Sequence, residues 1–211
     1  MGGEMGRFSD EVVKQCKILL EYLREYADLV NSQRDKFEQI YELLERSKAI
    51  HVYGIGRSGS AAVSLALRLK HFNYNVWFIG DVVKERIRKD DTVILFSGSG
   101  ETAEIVNIAE SAKREGAKIV AICSYEDSAL GKLADVFFYL PGGLRKGEGW
   151  KYVEAQLTEK ASPFYGAGEF EVLAYLFQET LVTALGKFKG ILPDAVVREH
   201  FRDERVKRKE R

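Results

Sequence analysis

Apolar residues recur at spacings of three and four through the opening stretch: Val12, Ile18, Leu19, Leu20, Leu23, Tyr26, Leu29 and Val30, with charged residues between them. That period marks an amphipathic helix. Asn31-Ser32 is a weak point, after which Phe37, Ile40, Tyr41, Leu43 and Leu44 mark a second helix. No glycine-rich turn and no basic recognition helix accompanies the pair, so a helix-turn-helix DNA reader is not expected.

After Ser47 the pattern changes to short, nearly continuous apolar runs at 49–53, 75–79, 92–96, 118–122 and 136–140. Runs of this kind are strands buried on both faces of a parallel sheet. Helical stretches at 61–72, 103–115 and 128–134 separate them, and only residues 81–91 divide the second strand from the third. Alternation of this kind predicts right-handed βαβ units. The expected fold is α/β: a doubly wound five-stranded parallel sheet of flavodoxin-like order 2-1-3-4-5, with N-terminal and C-terminal helices. The division is a helical arm at 1–47, the α/β domain at 48–190, and a C-terminal helix with a charged tail at 191–211. Residues 141–168 are irregular and hold Pro141 and Pro163; a loop of that length in a compact domain is usually functional or mobile. A strongly apolar helix follows, carrying Phe170, Leu173, Ala174, Phe177, Leu181, Val182 and Leu185. Gly190 closes it, and Pro193-Asp194 could open a last helix.

Composition narrows the function. Of 211 residues, 45% are hydrophobic and 30% charged, which excludes an intrinsically disordered chain. Lys plus Arg and Asp plus Glu both number 32, and a general polyanion binder would carry a basic excess, so nucleic acid is not an expected partner. Runs such as 93–96 and 136–140 fall far short of the roughly 20 residues that span a bilayer. No basic-then-apolar leader opens the sequence, so the expectation is a cytoplasmic protein with no membrane partner. Cys16 and Cys123 form neither a disulfide framework nor a CxxC metal knuckle and read as small buried apolar residues. High charge with few Met and Cys hints at a thermophilic source.

Two glycine-rich turns carry candidate chemistry. Gly54-Ile55-Gly56-Arg57-Ser58-Gly59 follows the first strand. It has the outline of a dinucleotide turn, and Asp81 at the end of the second strand stands where a ribose-binding acid would sit. Arg57 and Ser58 inside the turn suit a small phosphorylated ligand better. Ser97-Gly98-Ser99-Gly100-Glu101-Thr102 follows the third strand. Its glycines admit an anion to the backbone, the next helix presents N–H groups and a positive dipole end, and Ser97, Ser99 and Thr102 add hydroxyl donors. No Lys follows, so it is not a nucleotide-hydrolysing P-loop. The bland reading is a helix N-cap with polar linkers.

These two turns together resemble the SIS (sugar isomerase) domain. The resemblance is closer to its 6-phospho-3-hexuloisomerase branch through Arg68-Leu69-Lys70-His71-Phe72, Asn75-Val76, Lys89-Asp90-Asp91, Lys132-Leu133-Ala134-Asp135, Phe170-Glu171 and Arg198-Glu199-His200. The resemblance implies a sugar phosphate as ligand, held by Gly56, Arg57, Ser58, Ser97, Ser99 and Thr102. It also implies isomerisation through a cis-enediol without metal or cofactor, interconverting 3-hexulose 6-phosphate and fructose 6-phosphate in that branch. Glu171 is the candidate base, one carboxylate at the start of an apolar helix, where partial burial would raise its pKa toward the useful range. The helix dipole offers a plainer reason for it, and Glu169 is its neighbour and rival. His200 is the candidate for ring opening or the oxygen proton shuttle, from its own or a neighbouring subunit. His71 is read as structural, at a helix end, and His51 as a satisfied core residue.

The sequence departs from the branch where the sugar would lie. Phe201-Arg202-Asp203 follows the late His in place of a small residue, Asn and Leu. Asp81-Val82-Val83 replaces a Glu-Thr after the second strand. The loop before Glu171 is longer and more aromatic. A different phosphosugar as substrate therefore stays open, as does a non-catalytic phosphosugar sensor, which would need the serine loop but neither Glu171 nor His200. A nicotinamide-dependent enzyme built on Gly54 to Gly59 is a third reading. Three scattered histidines offer no zinc spacing. The apolar faces of the N-terminal helices and of 170–185 exceed what one small sheet covers, so a homodimer or homotetramer is expected.

Overall fold

The structure, a computed structural model, describes residues 7–145, 164 and 168–191. Three helices open it, α1 (Phe8–Arg24), α2 (Tyr26–Ser32) and α3 (Arg34–Arg46). The α/β unit follows: β1 (Ile50–Gly54), α4 (Gly56–His71), β2 (Val76–Phe78), β3 (Thr92–Ser97), α5 (Ala103–Glu115), β4 (Lys118–Cys123), α6 (Ala129–Leu133) and β5 (Val136–Tyr139). A long apolar helix, α7 (Glu169–Phe188), closes the described chain.

The five strands are all parallel and lie in the order β2-β1-β3-β4-β5. The apolar runs are continuous because successive residues face different helical layers. Val52, Ile94, Phe96, Val120, Ile122 and Phe138 pack in the layer with α3, α4 and α7, whereas Val93, Leu95, Ile119, Ala121 and Cys123 pack against α5 and α6. Phe177 of α7 anchors the first layer, with its ring 4.7 Å from Phe138, 5.7 Å from Phe37 and 6.1 Å from Phe96. Each such fully buried aromatic contributes about 1.5–3 kcal/mol. Gly116 ends α5 in a left-handed cap at φ 82°, and Ser128 caps α6 by accepting from Gly131 N.

The register sets up the site. Gly54 pairs with Phe96, and Ser97 with Cys123, so β1, β3 and β4 finish nearly level. The chain turns from β1 to α4 and from β3 to α5 at that edge, on neighbouring strands whose crossovers run in opposite directions. Crevices at such switch points collect ligands.

Four expectations need correction. The N-terminal stretch breaks at Glu25 and at Gln33, not at Asn31-Ser32; neither break carries Gly or Pro, so periodicity alone hides them. The first glycine-rich turn is largely the first turn of α4, which begins at Gly56 rather than near residue 61. The edge strand β2 stops at Phe78, leaving Asp81 exposed in the following turn instead of ending the strand. Cys16 is exposed on α1, while Cys123 is buried as expected. Indeed α1 buries no residue and leaves Phe8, Val12, Val13, Ile18 and Leu20 exposed. Among the described residues no helix is long and apolar enough to cross a membrane.

Candidate functional site

The first turn is built by backbone contact. A Cβ on Gly54 would lie 2.9 Å from Ser58 O, and one on Gly59 would lie 2.7 Å from Gly54 O. Only glycine lets α4 start this close to its strand. Gly56 has open space around it and serves by its φ of +61°, which other residues rarely adopt. The turn leaves Arg57 exposed and Ser58 buried at the N-terminus of α4.

The serine loop is organised by its own hydroxyls. Ser97 Oγ accepts from Gly100 N at 3.1 Å, and Ser99 Oγ accepts from Glu101 N at 3.2 Å. A hydroxyl that accepts a bond keeps its own proton to donate, so both serines keep a donor for a ligand oxygen. Gly100, at φ +67°, packs on Ser128 and Cys123, where any Cβ would collide. Leu130 N donates to Gly100 O, and Ala129 N to Glu101 Oε1, tying the loop to α6. Thr102 is the N-cap of α5 but makes no side-chain cap hydrogen bond. Its hydroxyl and the first N–H groups of α5 remain for an anion.

The third wall is the N-terminus of α7. A Cβ on Gly98 would lie 3.2 Å from Phe170 Cγ and 3.0 Å from Gly143 Cα, so α7 and the segment after β5 close on the serine loop. Gly143 N donates to Ser124 Oγ, and Tyr125 Oη donates to Gly143 O. Glu171 reaches back toward α4, where its Oε2 lies 3.4 Å from Arg57 Nη2; the two side chains are 22% and 60% exposed, respectively. That Oε2 is buried and has no hydrogen bond.

Sequence-predicted residues are thus brought together in two sets: Ser97, Ser99 and Thr102 on one loop, and Arg57 with Glu171 across two helix N-termini. His200 lies outside the described residues, as does most of the 141–168 loop. His51 is satisfied in the core, with Nε2 3.2 Å from Asp91 Oδ2, and His71 closes α4.

The more deeply buried carboxylate is Glu169, at 7% exposure, and burial raises its pKa. Tyr22 of α1 donates a hydrogen bond to its Oε1. Tyr22 also meets the ring of Phe164 edge-on at 5.4 Å. Sequence reasoning passed over Tyr22 because nothing local sets it apart from the other apolar positions of α1. A cleft of about 640 Å³ lies beside α5, lined by Tyr53, Ile79, Lys84, Glu104, Asn107 and Ser111 among others. None of the candidate site residues lines it. Tyr53 bridges it by donating to Glu104, which holds the phenol proton more tightly than usual.

Comparison with known proteins finds relatives of this chain in sequence and in fold. The SIS domain family matches residues 43–158. A protein of Archaeoglobus fulgidus is 31% identical over 172 residues, 79% of this chain and 90% of its own length. The 3-hexulose-6-phosphate isomerase of Bacillus subtilis is 28% identical over 185 residues, 88% of this chain and 94% of the relative. A crystal structure of a Methanococcus jannaschii protein, inferred to be a 3-hexulose-6-phosphate isomerase, superposes with a TM-score of 0.67 at 22% identity. It covers 90% of this chain and 96% of the other.

Proposed function

The chain belongs to the SIS domain family, and on that premise we propose that it is a sugar-phosphate isomerase whose substrate pair is 3-hexulose 6-phosphate and fructose 6-phosphate. The supporting observation is the opposition of two unlike groups at one sheet edge. The serine loop offers hydroxyls and helix N–H groups suited to a phosphate, and a largely buried carboxylate, Glu171, sits beside the neighbouring turn. The relatives named 3-hexulose-6-phosphate isomerase support the choice of substrate.

In this reading Ser97, Ser99, Thr102 and Ser58, with Arg57, hold the phosphate and so place the carbon chain across the mouth of the site. The Glu171 carboxylate removes the proton from C2 of the 3-hexulose. The C–H electron pair becomes the C2–C3 double bond of a cis-enediol as the carbonyl oxygen on C3 takes up a proton. Return of the proton to C3, with loss of the O2 proton, gives fructose 6-phosphate. His200 is assigned the shuttle between the two oxygens. The apolar stripes left exposed on α1, and Val63 and Leu67 on α4, support a homo-oligomer as the working form.

The test is proton exchange. Fructose 6-phosphate incubated with the protein in deuterium oxide should gain deuterium at C3, and a Glu171→Gln variant should lose that exchange. Label at C1 instead would mean an aldose–ketose isomerase. Tight binding with no exchange in the wild type would leave a sensor and remove the enzyme.

A further inference from the structure

We propose that Tyr22 is a positioning residue for the phosphate site: by holding Glu169 it fixes the wall that presses on Gly98, between the two serines of the loop. The inference rests on reading the serine loop as the phosphate site, and not on which sugar is isomerised.

The argument starts from how little of α1 touches the body. Of its residues only Leu19, Tyr22 and Leu23 are partly covered, and their spacing of three and four puts them on one face near its C-terminal end. A hydrogen bond ties that face to α7, with Tyr22 donating to Glu169 Oε1. The Glu169 carboxyl is buried, and Tyr22 is the side chain that satisfies it. A buried carboxyl stripped of its partner is costly to keep from water. Without the Tyr22 hydroxyl it would turn toward solvent and carry the first turn of α7 with it.

Glu169 leans on the segment that leads into the serine loop. Gly142 stands at φ +90°, and a Cβ there would lie 2.5 Å from Glu169 Cβ and 2.7 Å from Phe170 N. Gly143 comes next, and a Cβ on it would collide with Gly98 O. Ser124 N donates to that same oxygen at 3.3 Å. Phe170, the neighbour of Glu169, also meets Gly98. From Gly142 to Gly98 the contact is main chain on main chain, with no side chain whose rotation could absorb a shift. Gly98 lies between Ser97 and Ser99, and groups that hold a ligand must keep their places to within about 0.5 Å. A displaced Glu169 is therefore felt at the serine hydroxyls. Burial also raises the Glu169 pKa, as suits a carboxyl that serves as a packed, hydrogen-bonded spacer.

Calorimetric titration with inorganic phosphate and with fructose 6-phosphate tests this. Tyr22→Phe keeps the ring that meets Phe164 edge-on and removes the hydroxyl alone. It should weaken the binding of both ligands by about 5-fold or more. Glu169→Ala should do the same, whereas Glu169→Gln keeps the volume and an acceptor and should bind within about 2-fold of wild type. Tyr22→Phe added to Glu169→Ala should cost no further affinity, because the two side chains act as one unit. A dissociation constant does not depend on the folded fraction in the way an activity does, so a merely structural clasp would lower the melting temperature and leave it unchanged. That result overturns the proposal, as does a Glu169→Gln variant that binds as poorly as Glu169→Ala. If one single variant melts too low to titrate, the other carries the test. Wild type that binds fructose 6-phosphate but exchanges no hydrogen removes the isomerase reading and leaves the Tyr22 comparison intact. Wild type that binds neither ligand removes the phosphate site and the proposal with it.

Discussion

His51 Nε2 lies 3.2 Å from Asp91 Oδ2, and the two residues are 1% and 3% exposed. The same carboxylate accepts from Ala49 N at 3.1 Å and from Arg88 N at 2.7 Å. Asp91 thus fastens the starts of β1 and β3, the two strands whose far ends carry the site. Asp91→Ala would leave the buried Ala49 N–H and the buried His51 ring nitrogen without this partner and should destabilise by about 3 kcal/mol or more. Urea denaturation measures this; a loss under about 1 kcal/mol would show that the pair is not a structural clasp.

Glu169 gives a pH signature. Burial raises its folded-state pKa above the ordinary value of 4.5. A group with a raised folded pKa contributes stability that is fully present below the unfolded value and is lost as pH rises through the folded one. Glu169→Gln cannot titrate, so the stability of wild type relative to this variant should fall as pH climbs from the ordinary glutamate range through the raised one. The lowered carboxyls of Glu45, Asp90 and Asp127 act in the opposite sense, but equally in both proteins. Urea midpoints across that window test it, and a difference that is flat or that grows with pH contradicts the assignment.

Gly100 and Gly56 separate two reasons for glycine. Both have positive φ, +67° and +61°, but only Gly100 is enclosed. Gly56→Ala should cost about 1–2 kcal/mol of backbone strain. Gly100→Ala adds a collision with Ser128 and should cost about 2–4 kcal/mol, with loss of sugar-phosphate affinity. Paired thermal melts and phosphate titrations compare the two; equal effects would contradict the packing argument.

Ser97→Ala removes an acceptor for Gly100 N and a donor for the ligand. Affinity for fructose 6-phosphate should drop by roughly 10-fold or more, with about 1 kcal/mol lost from stability. Calorimetric titration reads the first, and unchanged affinity would move the phosphate away from this loop.

The two thiols should differ in reactivity. Cys16 is exposed, whereas Cys123 is buried and burial pushes its thiol pKa up. Only Cys16 should react with a thiol reagent in the native protein, with Cys123 following on unfolding. Prompt reaction at Cys123 would show that the α6 layer opens readily.

The sheet was legible because its signal is local. Five residues such as Val93 to Phe96 with Thr92 read as a strand buried on both faces, and alternation with helical stretches makes a helix-covered parallel sheet the natural setting. The serine loop was legible for a similar reason, since glycines and hydroxyls cluster within six residues of sequence. The carboxylates were less so. Glu169 and Glu171 stand two residues apart on one helix turn, and which is buried depends on Tyr22, 147 residues from Glu169. The approach of Arg57 to Glu171 likewise depends on how α4 and α7 pack, which no local pattern encodes. Asp81 misled because β2 pairs on one side only and ends early, a property of its place at the sheet edge.

The interlocked backbones of Gly54 and Gly59 have a consequence for engineering. Where main chain touches main chain, neither position tolerates a side chain, so both are closed to variation. The positions threaded between and beside them, Ile55, Arg57 and Ser60, are all exposed. A library confined to those three would remodel the rim of the crevice on an unchanged frame. Altered ligand preference could then be selected without screening for foldability first.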